Sequence, residues 1–159
     1  MIVLLNGSIN SGKTSVAKAM CSKASGYAHI EVDSLRDFIR WMPLIESIQL
    51  NLKNAVSVAK NFHEKNLHSI ITYPLSENDY LFIKDLLSDT NIELRAFTLY
   101  PGIEKLKMNR GAREITSWEL NRIDELHNTG VTNPAFGITI DNSNQTIEET
   151  ADQILSSLI

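Results

Sequence analysis

The sequence predicts an α/β fold: a five-stranded, mostly parallel sheet with helices on both of its faces. Three observations carry that expectation. Short apolar, β-forming runs alternate with segments of helical periodicity along the whole chain. No repeat, low-complexity tract or linker interrupts them, so 159 residues read as one domain, 1–159, large enough to bury a core. A glycine-rich stretch, "NGSINSGKTS", falls between the first strand and the first helix. Alternating strands and helices make crossover units, which give parallel sheets covered on both faces.

The elements follow in order. "MIVLLN" is a continuous apolar run and reads as a buried strand. Residues 13 to about 24 are rich in alanine and lysine and read as a helix. "YAHIEVD" (27–33) is a second strand, and Ser34 with Asp37 forms an S-x-x-D box that opens a helix. Over 44–65, Ile45, Ile48, Leu52, Ala55, Val56, Ala59 and Phe62 recur at helical spacing as one buried stripe. "HSIITYP" (68–74) is a third strand ending at Pro74, and Ser76 with Asp79 caps the next helix. "IELRAFTLY" (92–100) is a fourth strand stopped by Pro101-Gly102, followed by a helical stretch to about Met108 and the basic turn "NRGAR". Thr116 with Glu119 caps a helix to about Asn128; "GITID" (137–141) is the fifth strand; Thr146 with Glu149 caps the last helix.

Composition sets bounds on function. A hydrophobic share of 43% and a charged share of 21% are ordinary for a globular protein. No apolar run approaches the ~20 residues of a membrane span, and "MIVLL" is too short and lacks the basic flank of a signal peptide. The single cysteine, Cys21, excludes an internal disulfide, suits a reducing cytoplasm and reads as a small buried helix residue. The net charge of −4 argues against nucleic acid as a partner, so any anion site is local. His29, His63, His68 and His127 show no metal-ligand spacing.

The local anion site is the glycine loop. Gly7-Ser8-Ile9-Asn10-Ser11-Gly12-Lys13-Thr14 fits G-x-x-x-x-G-K-[ST] at every fixed position. It follows a strand and opens a helix, the setting in which backbone N–H groups converge on phosphate oxygens. The nucleotide-binding set runs through Gly7, Ser8, Ile9, Asn10, Ser11, Gly12, Lys13, Thr14 and Ser15. Gly7 and Gly12 permit turns and close approach that a Cβ obstructs. Lys13 has the reach for the β- and γ-phosphates, and the Thr14 hydroxyl is the expected Mg²⁺ ligand.

"GSINSGKTSVAKAM", "HIEVDSLRDFIRWMP", "NRGAR" and "ITIDNS" together resemble the nucleoside-monophosphate-kinase-like P-loop kinases, most closely shikimate kinase and chloramphenicol phosphotransferase-like proteins. The resemblance implies the three-layer P-loop NTPase fold with a five-stranded parallel sheet. It also implies a substrate region after the second strand, a short lid at about 109–116, and transfer of the γ-phosphoryl of Mg-ATP to a hydroxyl or phosphate of a small molecule. Asp33 matches the carboxylate that such kinases set beside the acceptor hydroxyl, where it orients the acceptor and takes its proton. Glu31, two residues earlier, would share its side of a regular strand; an acidic pair at this spacing serves metal and substrate in shikimate kinase-like proteins, and either carboxylate is a candidate for the key role.

Arg36 and Arg40 stand four apart, as a clamp for an anionic acceptor or as solvated charges. Trp41, Met42 and Pro43 read as core packing rather than a pocket wall. Arg110 and Arg113 flank Gly111 in the lid and are expected to stabilise charge on the transferring group. Lys105 and Lys107 read as solvated helix charges. Thr72 and Tyr73 end the third strand, where many P-loop proteins carry an acid assisting Mg²⁺. "DNS" (141–143) is either an adenine rest or an Asx turn. The expected protein is a cytoplasmic kinase with ATP and Mg²⁺ as cofactors and a small-molecule acceptor, with no membrane partner. The alternative is an ATP-binding switch that hydrolyses slowly and acts through a protein partner.

Overall fold

Among the described residues every strand runs the same way, so the five carboxyl ends open onto one edge. The computed structural model describes residues 1–109 and 114–158. The elements are β1 (Ile2–Asn6), α1 (Lys13–Lys23), β2 (Tyr27–Glu31), α2 (Val32–Arg36), a 3-10 turn (Asp37–Ile39), α3 (Leu44–His63), β3 (His68–Thr72), α4 (Glu77–Leu86), β4 (Leu94–Leu99), α5 (Ile103–Leu106), α6 (Ser117–Asn128), β5 (Ile138–Ile140) and α7 (Ile147–Ser156). The sheet order is β2-β3-β1-β4-β5, with each neighbouring pair parallel.

β1 is central and fully buried, which is why its sequence is apolar without alternation. Its period of two still divides its side chains between two cores. Ile2 and Leu4 pack with Leu52, Ala55, Val56 and Ile83 beneath α3 and α4. Val3 and Leu5 pack with Val16, Ala17, Met20, Ala151 and Ile154 beneath α1 and α7. Cys21 is half-buried against this second core, and burial raises its thiol pKa. Among the described residues no helix is long and apolar enough to cross a membrane.

Ser76–Asp79, Thr116–Glu119 and Thr146–Glu149 each form the expected reciprocal capping box. The Ser34–Asp37 box does not form. β2 ends at Glu31 and the helix begins at Val32, with no side-chain cap. Val32 is buried in the first core, and this tertiary anchor overrides the local capping signal. Asp33 therefore lies in α2 instead of ending a strand. Ile45, expected in the buried stripe of α3, is 85% exposed, because the first turn of that helix projects past the sheet while Leu52 to Ala59 cover it.

Asn6, at the carboxyl end of β1, was absent from the sequence-based site and holds the open edge together. It is fully buried and donates through Nδ2 to Thr98 Oγ1 and to Val131 O, each at 3.0 Å. Its Oδ1 accepts from Leu75 N at 2.7 Å. One amide thus ties β1 to β4, to the segment after α6 and to the segment after β3.

Candidate active site

The chain leaves Asn6 into a loop whose shape is set from three directions. Gly7 has φ +141°, and a Cβ there would stand 2.6 Å from Leu99 O and 2.7 Å from Ser11 Oγ. Asn10 takes the left-handed conformation that asparagine tolerates, with φ 64°. Its Nδ2 donates to Leu106 O and Met108 O, each at 2.9 Å, tying the loop to α5 and the residues after it. Asn142 Nδ2 donates to Ser11 O at 3.0 Å from the segment after β5. Gly12, at φ 96°, caps α1.

This loop fits a polyphosphate. The N–H groups of the first turn of α1 have no carbonyl a turn earlier to bond. α1 carries no side-chain cap and no acidic residue of its own in that turn, which leaves these N–H groups to an incoming anion. Ser8 Oγ and Ser11 Oγ are buried without a hydrogen-bond partner among the described residues. Ile9, Asn10, Lys13 and Thr14 line the adjoining cleft, whereas Ser15 is exposed on α1.

Lys13 Nζ donates to Ser8 O at 2.8 Å, holding the ammonium over the loop. Burial pushes its pKa down to about 8, with Asp33 and Glu31 opposing. Thr14 Oγ1 donates to Glu31 Oε1 at 2.6 Å, and Ser34 Oγ approaches Glu31 Oε2 at 3.4 Å. The open question between the two carboxylates thus has a geometric side: Glu31 is the one that touches Thr14. Two hard oxygen donors in contact fit Mg²⁺ chemistry. Thr72 is buried in register with Glu31, and His29 Nε2 lies 2.9 Å from its Oγ1. Burial lowers the pKa of His29, which favours the neutral imidazole.

Asp33 opens into a cleft of about 700 Å³. The cleft walls raise its carboxyl pKa by desolvation, which Lys13 counters and Glu31 reinforces. Arg36, Asp37, Arg40, Pro74, Trp118 and Glu119 complete the cleft. Arg40 and Arg36 are not equivalent, because Arg40 Nη2 pairs with Asp37 Oδ1 at 2.9 Å and the helix breaks between the two arginines. Asp37 is thus an ion-pair partner and not a cap. Trp41 is 79% exposed, which corrects the expectation of core packing. Trp118 and Glu119 carried no signal in the sequence beyond the capping box, because only the fold brings α6 across from α2.

Lys105 is a structural tie and not a solvated charge: it donates to Ser143 O and Asn144 Oδ1. Lys107 pairs with Asp124 at 2.5 Å. The "DNS" segment forms the Asx turn, with Ser143 N donating to Asp141 Oδ1 at 2.9 Å. A groove of about 170 Å³ runs beside it, bounded by Gly12, Val16, Asn142 and Thr146. Arg110 and Arg113, with half of the expected lid, lie outside the described residues.

No protein-family model matches this chain, and no curated protein matches it. Solved structures do. A sugar kinase from a Janibacter species superposes with a TM-score of 0.72 at 21% identity, covering 99% of this chain and 93% of that one. APS kinase from Mycobacterium tuberculosis, in complex with AMPPNP and APS, gives 0.72 at 19% identity, covering 99% and 96%. Shikimate kinase from Acinetobacter baumannii, in complex with shikimate, gives 0.65 at 13% identity, covering 99% and 92%. The chain has the fold of these P-loop kinases, and its structural neighbours act on small molecules.

Proposed function

We propose that this chain is a one-domain, Mg-ATP-dependent kinase of a small hydroxylated molecule. The observation that carries the reading is the convergence on one cleft of Lys13 and Thr14 from the loop with Glu31 and Asp33 from the β2–α2 junction. The loop N–H groups from Gly7 to Ser15, with Lys13, would hold the triphosphate. Thr14 and Glu31 would hold Mg²⁺, and the groove beside Gly12 and Asn142 would take the nucleoside. When bound, Mg-ATP supplies the phosphoryl group. Asp33 orients the acceptor hydroxyl and accepts its proton, a task helped by a raised carboxyl pKa. Arg110 and Arg113 stabilise the charge that spreads over the group in transfer.

The test is a screen of small hydroxylated acceptors with Mg-ATP, scored by ADP release, followed by Asp33→Asn on the best acceptor. Asparagine keeps the volume and removes the base, so transfer should fall roughly 10²–10⁴-fold. Affinity for a non-hydrolysable ATP analogue should survive, since Asp33 is outside the phosphate loop. Undiminished transfer by Asp33→Asn would remove its assignment as base. Stimulation of hydrolysis by no acceptor at all would remove the kinase reading.

A further inference from the structure

Most of the cleft's charged side chains have hydrogen-bond or ion-pair partners. Lys13 is held by Ser8 O, Arg40 by Asp37, and Glu31 by Thr14. Glu119 accepts from Thr116 in its capping box. Arg36 has no hydrogen-bond or ion-pair partner among the described residues, and its Nε is buried. Asp33 and Tyr73 lie within its electrostatic reach. Burial pushes the Tyr73 phenol up to about 12, so it stays neutral and leaves Asp33 as the anion within reach of the guanidinium, without a hydrogen bond to it. A guanidinium with a desolvated N–H and no acceptor is costly unless a ligand completes it. Across the cleft, Trp118 is 65% exposed, an indole left open where an apolar side chain usually finds cover.

From this arrangement we infer that the acceptor is a hydroxylated aromatic carboxylate, with its carboxylate on Arg36 and its ring against Trp118. The inference rests on the kinase reading only for the role of Asp33. Arg36 follows Asp33 by three residues, so the two share a helix face about one turn, ~5 Å, apart. A molecule presenting its hydroxyl to Asp33 therefore carries its anion across the width of a ring. One guanidinium matches a planar carboxylate through two parallel hydrogen bonds. A dianionic phosphate would bring a second charge toward Asp33, whose own charge repels it.

The probes are 4-(hydroxymethyl)benzoate, its neutral amide, its cyclohexane analogue and 4-(hydroxymethyl)phenyl phosphate. Trp41 and Trp118 are the only tryptophans, so a Trp41→Phe protein reports Trp118 fluorescence alone. The benzoate should quench it and bind at least tenfold tighter than the amide and the cyclohexane analogue. Arg36→Met should erase the preference over the amide, Arg36→Lys should restore part of it, and both should bind an ATP analogue normally. Equal affinity for benzoate and amide, a preference that survives in Arg36→Met, tighter binding of the phosphate, or no quenching by any probe overturns the inference. Binding is read without turnover. A selective protein that never transfers phosphate therefore keeps the carboxylate site and loses the kinase reading; one that phosphorylates neutral acceptors equally well does the reverse.

Discussion

Lys13 should make nucleotide binding and folding stability respond to pH in opposite directions. Its ammonium is set by burial to lose its proton near pH 8, against 10.5 in an open chain. At pH 7 about nine-tenths of the nucleotide-free protein carries the charge, and at pH 9 about one-tenth does. A triphosphate beside the amine restores the charge, so binding at high pH takes up a proton. Affinity for an Mg-bound, non-hydrolysable ATP analogue should therefore weaken about tenfold from pH 7 to 9, or ~1.4 kcal/mol. Calorimetry in two buffers of different ionisation enthalpy should find proton uptake rising from about 0.1 to about 0.9 over that range. Lys13→Met should bind weakly with no such slope. Stability runs the other way. Between pH 8 and 10.5 the unfolded chain holds more protons than the folded one, so the nucleotide-free protein gains stability as pH rises through that window. Wild-type affinity that stays flat from pH 7 to 9, or an equal slope in Lys13→Met, would refute the placement of the amine at the phosphates.

Two further predictions concern the frame around the loop. Gly7→Ala combines a positive φ with a Cβ pressed on Leu99 O, so it should cost ~2–6 kcal/mol; Gly26→Ala, at φ +89° in open space, should cost ~1–2. Urea unfolding of both separates contact from strain, and equal losses would show that the β4 carbonyl gives way. Asn6→Leu leaves Leu75 N and Val131 O without their buried partner and should cost ~2–6 kcal/mol by the same measurement, while a loss under 1 would mean that those groups find other partners.

The loop was legible in the sequence because its geometry restricts residue type. Only glycine suits φ +141° against a carbonyl, and the α1 terminus carries a lysine and no acid in its first turn. The three capping boxes that formed were legible for a similar reason, as their hydrogen bonds span three residues and need no tertiary partner. The α2 region was not. Ser34 and Asp37 satisfy the same local pattern, but burial of Val32 and pairing of Asp37 with Arg40 depend on neighbours distant in sequence or on the path of the chain. Trp118 reaches the cleft only because α6 crosses opposite α2, and nothing within α6 encodes that crossing. The polar ties of Asn6, Lys105 and Asn142 join residues 92, 38 and 131 positions apart, a range at which single-sequence periodicity has no purchase.

The misplaced helix start also bears on chemistry. Had β2 run on to Asp33, both carboxylates would stand on one side of the strand, the side that Glu31 shares with His29. Two like charges would then compete for Thr14, and one would be driven toward its protonated form. The chain instead enters a helix at Val32, and each residue beyond it turns about 100° from the last. Glu31 keeps the strand's orientation and meets Thr14. Asp33 swings out to the cleft, close enough to Glu31 for its pKa to be raised by it, yet free of the threonine. The same rotation brings Arg36 onto the face of Asp33 one turn later. A two-residue spacing that looks like a strand pair thus yields two carboxylates with separate surroundings, because the secondary structure changes between them.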